Sequence, residues 1–540
     1  MRKISVLTHA TLGLLVLLGA CASDPPALPA PKPVASIAAG TDPAKVAPAA
    51  GSAAVATETD PAEVGDSLHG IKSDDADARL ETVAAESGGH APAVAPQRGT
   101  EIGYLLVDLQ SGRQLAALNP DVPLIPASTT KLATAIVALD VLGPDHRFRT
   151  ELRAGGPVRD GVLKGDLILK GGGDPELDVA DLLELAVRLS ISGIHEVEGR
   201  FLIDDTALPR WSEIASDQPA EAAYNPGIGA LSVAFNRVRV VWRDVGKAVD
   251  AVTLPPLKEA RFVAASPEGL PPGGVEFGTQ HDGTVVWRLA DRGHRRQVSE
   301  LPVKDPGLHA GRVFRQLAEG LDIVLGPPER GTTPAGATLI AAHDSAALRD
   351  LVHDMLLYSN NMMAETIGLS VVKRLETTDG PDVDGTPLVH HLARLMPEVD
   401  WRGAVLPNRS GLDGRARLTP RQLVAIVQYG WRTDALPALL PASGWSGTLL
   451  HRFDDQAALR IWAKTGAVNY ASALAGYLLP DGQRPALFVA MVSDIGARTA
   501  YDALDRPGRA ADAAAAAWNG RAHGLLDDLV EGWLTPPSTS

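Results

Sequence analysis

The spacing of apolar residues changes several times along the chain, and each change marks an element or a boundary. Ile102 to Leu109 is mostly apolar on both faces of a period-2 pattern, which predicts a strand covered on both sides. Gln110-Ser111-Gly112 turns the chain into a second short strand, Gln114 to Leu118. Leu132, Ala135, Ile136 and Leu139 then recur at helical spacing until Gly143-Pro144 stops them. From about 151 to 302 the rhythm changes to short β-like runs, among them Leu167 to Leu169, Phe201 to Ile203, Val238 to Trp242 and Val285 to Leu289, set among many glycines and prolines. One amphipathic helix, Val179 to Leu189, interrupts them, and the stretch is expected to be a mainly β insertion with its own core, in one or two parts.

Helical periods resume at His309 to Leu321, in a segment capped by Asp344-Ser345 that runs to Leu357, and from Met362 to Leu375. Tyr358-Ser359-Asn360-Asn361 is a polar turn between the last two. Ile461 to Gly466, Ser472 to Leu479 and Leu487 to Ser493 read as strands, and Ala510 to Trp518 with Leu525 to Leu534 as closing helices. Strands at both ends with helices between them predict an α/β (α+β) fold: one mixed sheet covered by helices, interrupted by the insertion.

The N-terminus is built differently. Arg2 and Lys3 precede an apolar run, Leu12 to Leu18, that ends in Gly19-Ala20-Cys21, so residues 1–20 read as an export signal. From there to about residue 98 the chain is rich in Ala, Pro, Gly, Asp and Ser and nearly free of large apolar residues, which predicts an unfolded tether with a reach of about 50 Å. The 540 residues are 45% hydrophobic, enough for substantial cores, and the net charge of -15 argues against nucleic acid as a partner. Cys21 is the only cysteine, which excludes an intrachain disulfide and a thiolate metal cluster.

The candidate chemistry sits in Pro126-Ala127-Ser128-Thr129-Thr130-Lys131, where extended chain turns into helix. Ser128 is expected in the first helical turn, where free N–H groups and the macrodipole favour a developing negative charge. Lys131, three residues on, falls on the same face and suits a base for a nucleophilic serine, provided it is neutral. Its ordinary pKa of about 10.4 must fall by roughly three units, a cost of about 4 kcal/mol, which burial and a second nearby cation can supply.

Two further signatures follow in order: Ser359 and Asn361 as S-x-N, and Lys464, Thr465 and Gly466 as K-T-G. Singly each is weak; Ser370-Val371-Val372-Lys373 repeats the first pattern mid-helix, where it is structural. There is no G-x-S-x-G elbow and no H-E-x-x-H zinc motif. The ordered set marks class A β-lactamases and penicillin-binding proteins. With the long stretch between Lys131 and Ser359, the chain resembles the D-alanyl-D-alanine carboxypeptidase/endopeptidase family, low-molecular-mass class C penicillin-binding proteins with an inserted domain at this point. The resemblance runs from about residue 100 to the C-terminal helix and includes Gly171 to Pro175, Asn225-Pro226, Ser443 to Leu449 and Ala463 to Ala467. One run departs from it: the family's Asp-Gly-Ser-Gly-Leu-Ser stands here as Asn408-Arg409-Ser410-Gly411-Leu412-Asp413, which leaves substrate preference at that edge of the cleft open.

The resemblance implies a β-lactamase/D,D-peptidase-like domain with a central antiparallel sheet, made of residues 99–150 and 303–536 around an inserted 151–302. It implies a serine peptidase acting on peptidoglycan stem peptides, blocked covalently by β-lactams, with no cofactor. Ser128 would attack, Lys131 would take its proton, and Lys464 would be the second cation. Ser359 would return the proton to the leaving amine. Asn361 would orient Lys131 and the substrate, Lys464 and Thr465 would bind the terminal carboxylate beside Gly466, and the N–H groups of Ser128 and Ala467 would form the oxyanion hole. Leu18 to Cys21 resembles a lipoprotein box, implying lipid on Cys21 as a membrane anchor, with Ala22-Ser23 favouring the outer membrane and a periplasmic location. A β-lactamase and a peptidoglycan-binding scaffold without turnover are the alternatives.

Overall fold

The computed structural model describes residues 99–534 apart from 245–248, 256–260, 266–274, 280–284, 291–296, 380–385 and 505–508. The expected signal, Cys21 and the tether of 21–98 lie outside the described residues.

A five-stranded antiparallel sheet joins the two ends of the sequence, in the order Ile461–Val468, Ala471–Leu478, Ala486–Ser493, Glu101–Asp108 and Gln114–Leu118. Glu101–Asp108 lies inside the sheet, between Ala486–Ser493 and Gln114–Leu118, and both its faces are apolar. Leu105 and Val107 face one core, shared with helices Thr130–Val141, Leu348–Leu357, Asn361–Asp379 and Pro420–Arg432. Tyr104 and Leu106 face the other, closed by Trp518, Leu526 and Trp533 of the C-terminal region. Alternate side chains of one strand thus pin helices on opposite faces of the sheet.

Nearly all the expected strands form, with ends moved by a residue or two. The closing segment is a single helix, Arg509–Gly532, and helices Thr386–Leu395, Pro420–Arg432 and Ile495–Asp502 add to the expected set. Asp344-Ser345 is not a cap: the helix begins after Ala347, and the Ser345 hydroxyl instead accepts the N–H of Phe148 at 2.9 Å and donates to the Ala346 carbonyl.

The boundary at 302 is corrected. A second five-stranded sheet runs in the order Pro328–Arg330, Phe201–Asp204, Leu167–Lys170, Arg149–Ala154 and Thr338–Asp344, so it begins before 151 and ends well past 302. Helix Pro306–Glu319 buries Val313 and Phe314 in the same core as Leu182, Leu185 and Leu189 of helix Val179–Ile191. Its apolar stripe reads identically whichever core it serves, and only the pairing of the flanking strands decides. Residues 237–302 carry two three-stranded sheets that share a small core of Val240, Trp242, Trp287, Leu289 and Leu301.

Candidate active site

Ser128 lies one step outside the expected helix, in a 3-10 turn, Ala127–Thr129, that leads into helix Thr130–Val141. Ala127 holds φ +46, a left-handed conformation that costs a non-glycine residue of order 1 kcal/mol or more. Two glycines press on this turn. A Cβ on Gly466 would stand 2.7 Å from the Pro126 carbonyl and 3.1 Å from the Ser128 nitrogen, and one on Gly411, itself at φ +77, would overlap the Ala127 carbonyl. The edge strand and the 408–413 loop therefore clamp the nucleophile turn from two sides, backbone against backbone.

Lys131 is fully buried, and its Nζ contacts three oxygens: Ser128 Oγ at 2.8 Å, Asn361 Oδ1 at 2.7 Å and the Ser410 carbonyl at 2.9 Å. Carbonyl oxygens only accept. A neutral amine spends both N–H groups on Asn361 and Ser410, and its lone pair is left facing the Ser128 hydroxyl. The Asn361 amide is fixed in turn because its Nδ2 donates to the Tyr224 carbonyl at 3.0 Å, so the segment between Lys131 and Ser359 reaches into the site.

Ser359 sits at φ +55 in the turn before helix Asn361–Asp379, and its hydroxyl accepts from Lys464 Nζ at 2.9 Å. Lys464, also fully buried, donates to the Thr465 carbonyl at 2.7 Å. Thr465 turns its hydroxyl toward Thr448 Oγ1 at 3.0 Å, on the Ser443 to Leu449 loop, and Ala467 is exposed at the strand edge. The three motifs thus meet: Lys131 joins Ser128 to Asn361, Lys464 reaches Ser359, and Gly466 lies against the Ser128 backbone. The second S-x-x-K stays apart: Ser370 donates to the Thr366 carbonyl of its own helix and Lys373 to the Ala207 carbonyl.

Burial pushes Lys131 down to about 7, and the Glu365 carboxylate pulls it part of the way back. Burial is thus the leading cause, as expected; Lys464, likewise buried, is held well below its ordinary value by burial first and then by the charge of Lys131. Two ammonium groups in one dry site repel each other, and each disfavours the other's proton.

Sequence reasoning missed the Ser410 and Tyr224 carbonyls and Glu365. The carbonyls are backbone atoms and carry no residue-type signal; Glu365 is one acidic residue in a long helix.

Residues 91–511 match the model of the D-Ala-D-Ala carboxypeptidase 3 (S13) family. A D-alanyl-D-alanine carboxypeptidase of Actinomadura sp. (strain R39) is 30% identical over 456 residues, covering 76% of this chain and 79% of the relative. D-alanyl-D-alanine carboxypeptidase DacB of Haemophilus influenzae is 22% identical over 422 residues, covering 73% and 86%. The crystal structure of penicillin binding protein 4 (dacB) from Haemophilus influenzae shares the fold, with a TM-score of 0.65 at 19% identity over 83% of this chain and 99% of that one. With the family match running through all three motifs, the chain belongs to the D-Ala-D-Ala carboxypeptidase 3 (S13) family of serine-type peptidases.

Proposed function

We propose that the protein removes the terminal D-alanine from peptidoglycan stem peptides, and opens D,D cross-links, through an acyl-enzyme on Ser128. The observation that carries this reading is the coordination of Lys131: two carbonyl acceptors take the N–H groups of the free amine and leave its lone pair for the serine proton. Ser128 Oγ attacks the carbonyl of the penultimate D-alanine and its proton passes to Lys131. The oxyanion is held by the N–H groups of Ser128 and Ala467, each such donor being worth about 3 kcal/mol. As the C–N bond breaks, the proton held by Lys131 is relayed through the Ser359 hydroxyl to the leaving amine, which leaves Lys131 neutral and Ser359 a hydroxyl, and Lys464 supports that hydroxyl. Lys464 and Thr465 receive the terminal carboxylate, whose negative charge favours the charged form of Lys464. Asn361 keeps one amide hydrogen for the substrate, since Tyr224 takes only one. Water then cleaves the acyl ester and restores Ser128.

The test is D-alanine release from a stem pentapeptide, followed against pH. Below about pH 7 the protonated Lys131 accepts nothing, so the rate is expected to fall about tenfold per pH unit there and to level off above it. No release at any pH removes the proposal; a penicilloyl adduct that turns over in seconds would instead mark a β-lactamase.

We also propose that the chain is exported and held by lipid on Cys21 in the periplasm, at the outer membrane, with a long tether to the domain. The export signal and the Leu18-Gly19-Ala20-Cys21 ending support this. Labelled palmitate is expected in the wild type and absent from Cys21→Ala; equal labelling of both sinks the anchor.

A further inference from the structure

Behind Lys131 lies a charged pair that the reaction scheme does not use. Glu365, on the first turns of helix Asn361–Asp379, is completely buried. Its Oε1 accepts two backbone N–H groups of the 408–413 loop, from Arg409 at 3.0 Å and from Ser410 at 2.8 Å. Its Oε2 makes no hydrogen bond and lies 3.8 Å from Arg409 Nη1. The Arg409 side chain is 1% exposed, stacks over Trp211 at 5.6 Å, and runs through a slot that exists because residue 368 is glycine: a Cβ there would overlap Arg409 Cγ. The same loop is tied to the nucleophile helix, where Thr134 donates to the Arg409 carbonyl at 2.7 Å, and Ser410 offers its carbonyl to Lys131.

We propose that Glu365, with Arg409 as its counter-charge, is a positioning residue for acyl transfer that holds the Ser410 carbonyl against Lys131 and biases that amine toward the ammonium. The proposal deepens the reading of Lys131 as the base and rests on it. Among the described residues, three charged groups bear on the amine or on its supports: Lys464 from the edge strand, Glu365 from the helix and Arg409 from the loop. Lys464 and Arg409 disfavour a proton on Lys131, and Glu365 favours one. The carboxylate therefore works against the free base while its oxygen builds the carbonyl cradle that aims it. Arg409 limits that opposition, because a guanidinium 3.8 Å away offsets the charge without taking Oε1 from the two N–H groups.

The experiment is the pH profile of acylation by a fluorescent penicillin. Glu365→Gln keeps an acceptor oxygen for the two N–H groups and removes the charge. The Glu365→Gln/Arg409→Met double variant removes both charges and serves where the single variant, whose buried guanidinium has lost this carboxylate, fails to fold. The acid limb is expected to move to lower pH by about one unit in the single variant and by a smaller step in the double variant, which also loses the Arg409 charge, with the alkaline plateau falling less than tenfold in both. Glu365→Ala, which also loses the acceptor, is expected to lose more than about tenfold on the plateau. A lowered plateau with an unmoved limb in the folded double variant means that the pair is merely structural and overturns the inference. If the wild type itself shows no acid limb, the reading of Lys131 as base has failed instead.

Discussion

Ser128→Ala is expected to lower both penicillin acylation and D-alanine release by about 10⁴-fold or more while leaving the protein as stable as the wild type to within about 1 kcal/mol. The two halves of this result come from different parts of the structure. The hydroxyl is half-buried, and its contact is with Lys131 Nζ at 2.8 Å, so without it the amine has nothing to activate. The turn that carries it is held by other atoms: the Thr129 N–H and hydroxyl both reach the Pro126 carbonyl, at 3.1 and 2.6 Å, and Gly411 and Gly466 close on it from either side. Removing one oxygen therefore leaves the left-handed Ala127 and the 3-10 turn in place. Fluorescent penicillin labelling, D-alanine release and a thermal melt check the three parts, and labelling at the wild-type level would falsify the assignment of the nucleophile.

The residues that converge on Ser128 were legible in the sequence because each is carried by a local pattern. Ser128 and Lys131 share a helical spacing, Ser359 and Asn361 occupy a polar turn between two helices, and Lys464 to Gly466 stand in a strand. What orients them was not legible. Lys131 is aimed by the Ser410 carbonyl, and Asn361 by the Tyr224 carbonyl, contacts across 279 and 137 positions between atoms that every residue possesses. Burial was expected to lower Lys131 and does, but where that burial comes from was not legible, for a related reason. Charges can be counted in a sequence, but the burial that does most to lower Lys131 depends on helices that enclose it from remote segments.

The fold shows the same division. Glu101–Asp108 reads as a doubly covered strand from its own residues, and it is one. The expected edge at 302 fails because Thr338–Asp344 pairs with Arg149–Ala154, a partnership between segments almost two hundred residues apart. Arg409 was visible only as a departure from a family's glycine. Its meaning needs Gly368, Glu365 and Trp211, which come from two other segments.

Lys131→Met separates the chemistry from the binding and shows what the site costs the fold. Loss of the general base is expected to lower kcat for D-alanine release by about 10³-fold. KM should change little, because the terminal carboxylate goes to Lys464 and Thr465. Lys464, freed from its neighbour's charge, binds its proton more readily and keeps that function. Stability moves the other way. In the folded protein Lys131 titrates near 7 against an ordinary 10.5, so below pH 7 burial of the amine costs about 5 kcal/mol. The unfolded chain binds this proton more tightly, so the penalty is complete below pH 7 and fades as pH rises toward 10.5. The variant carries no such penalty, though Asn361 Oδ1 and the Ser410 carbonyl lose a donor, at about 1–3 kcal/mol each. Between pH 7 and pH 9 the wild type is therefore expected to gain about 3 kcal/mol relative to Lys131→Met in denaturant melts. Parallel stability curves across that range, or a variant that keeps the wild-type kcat, would mean that the buried amine is not the base that activates Ser128.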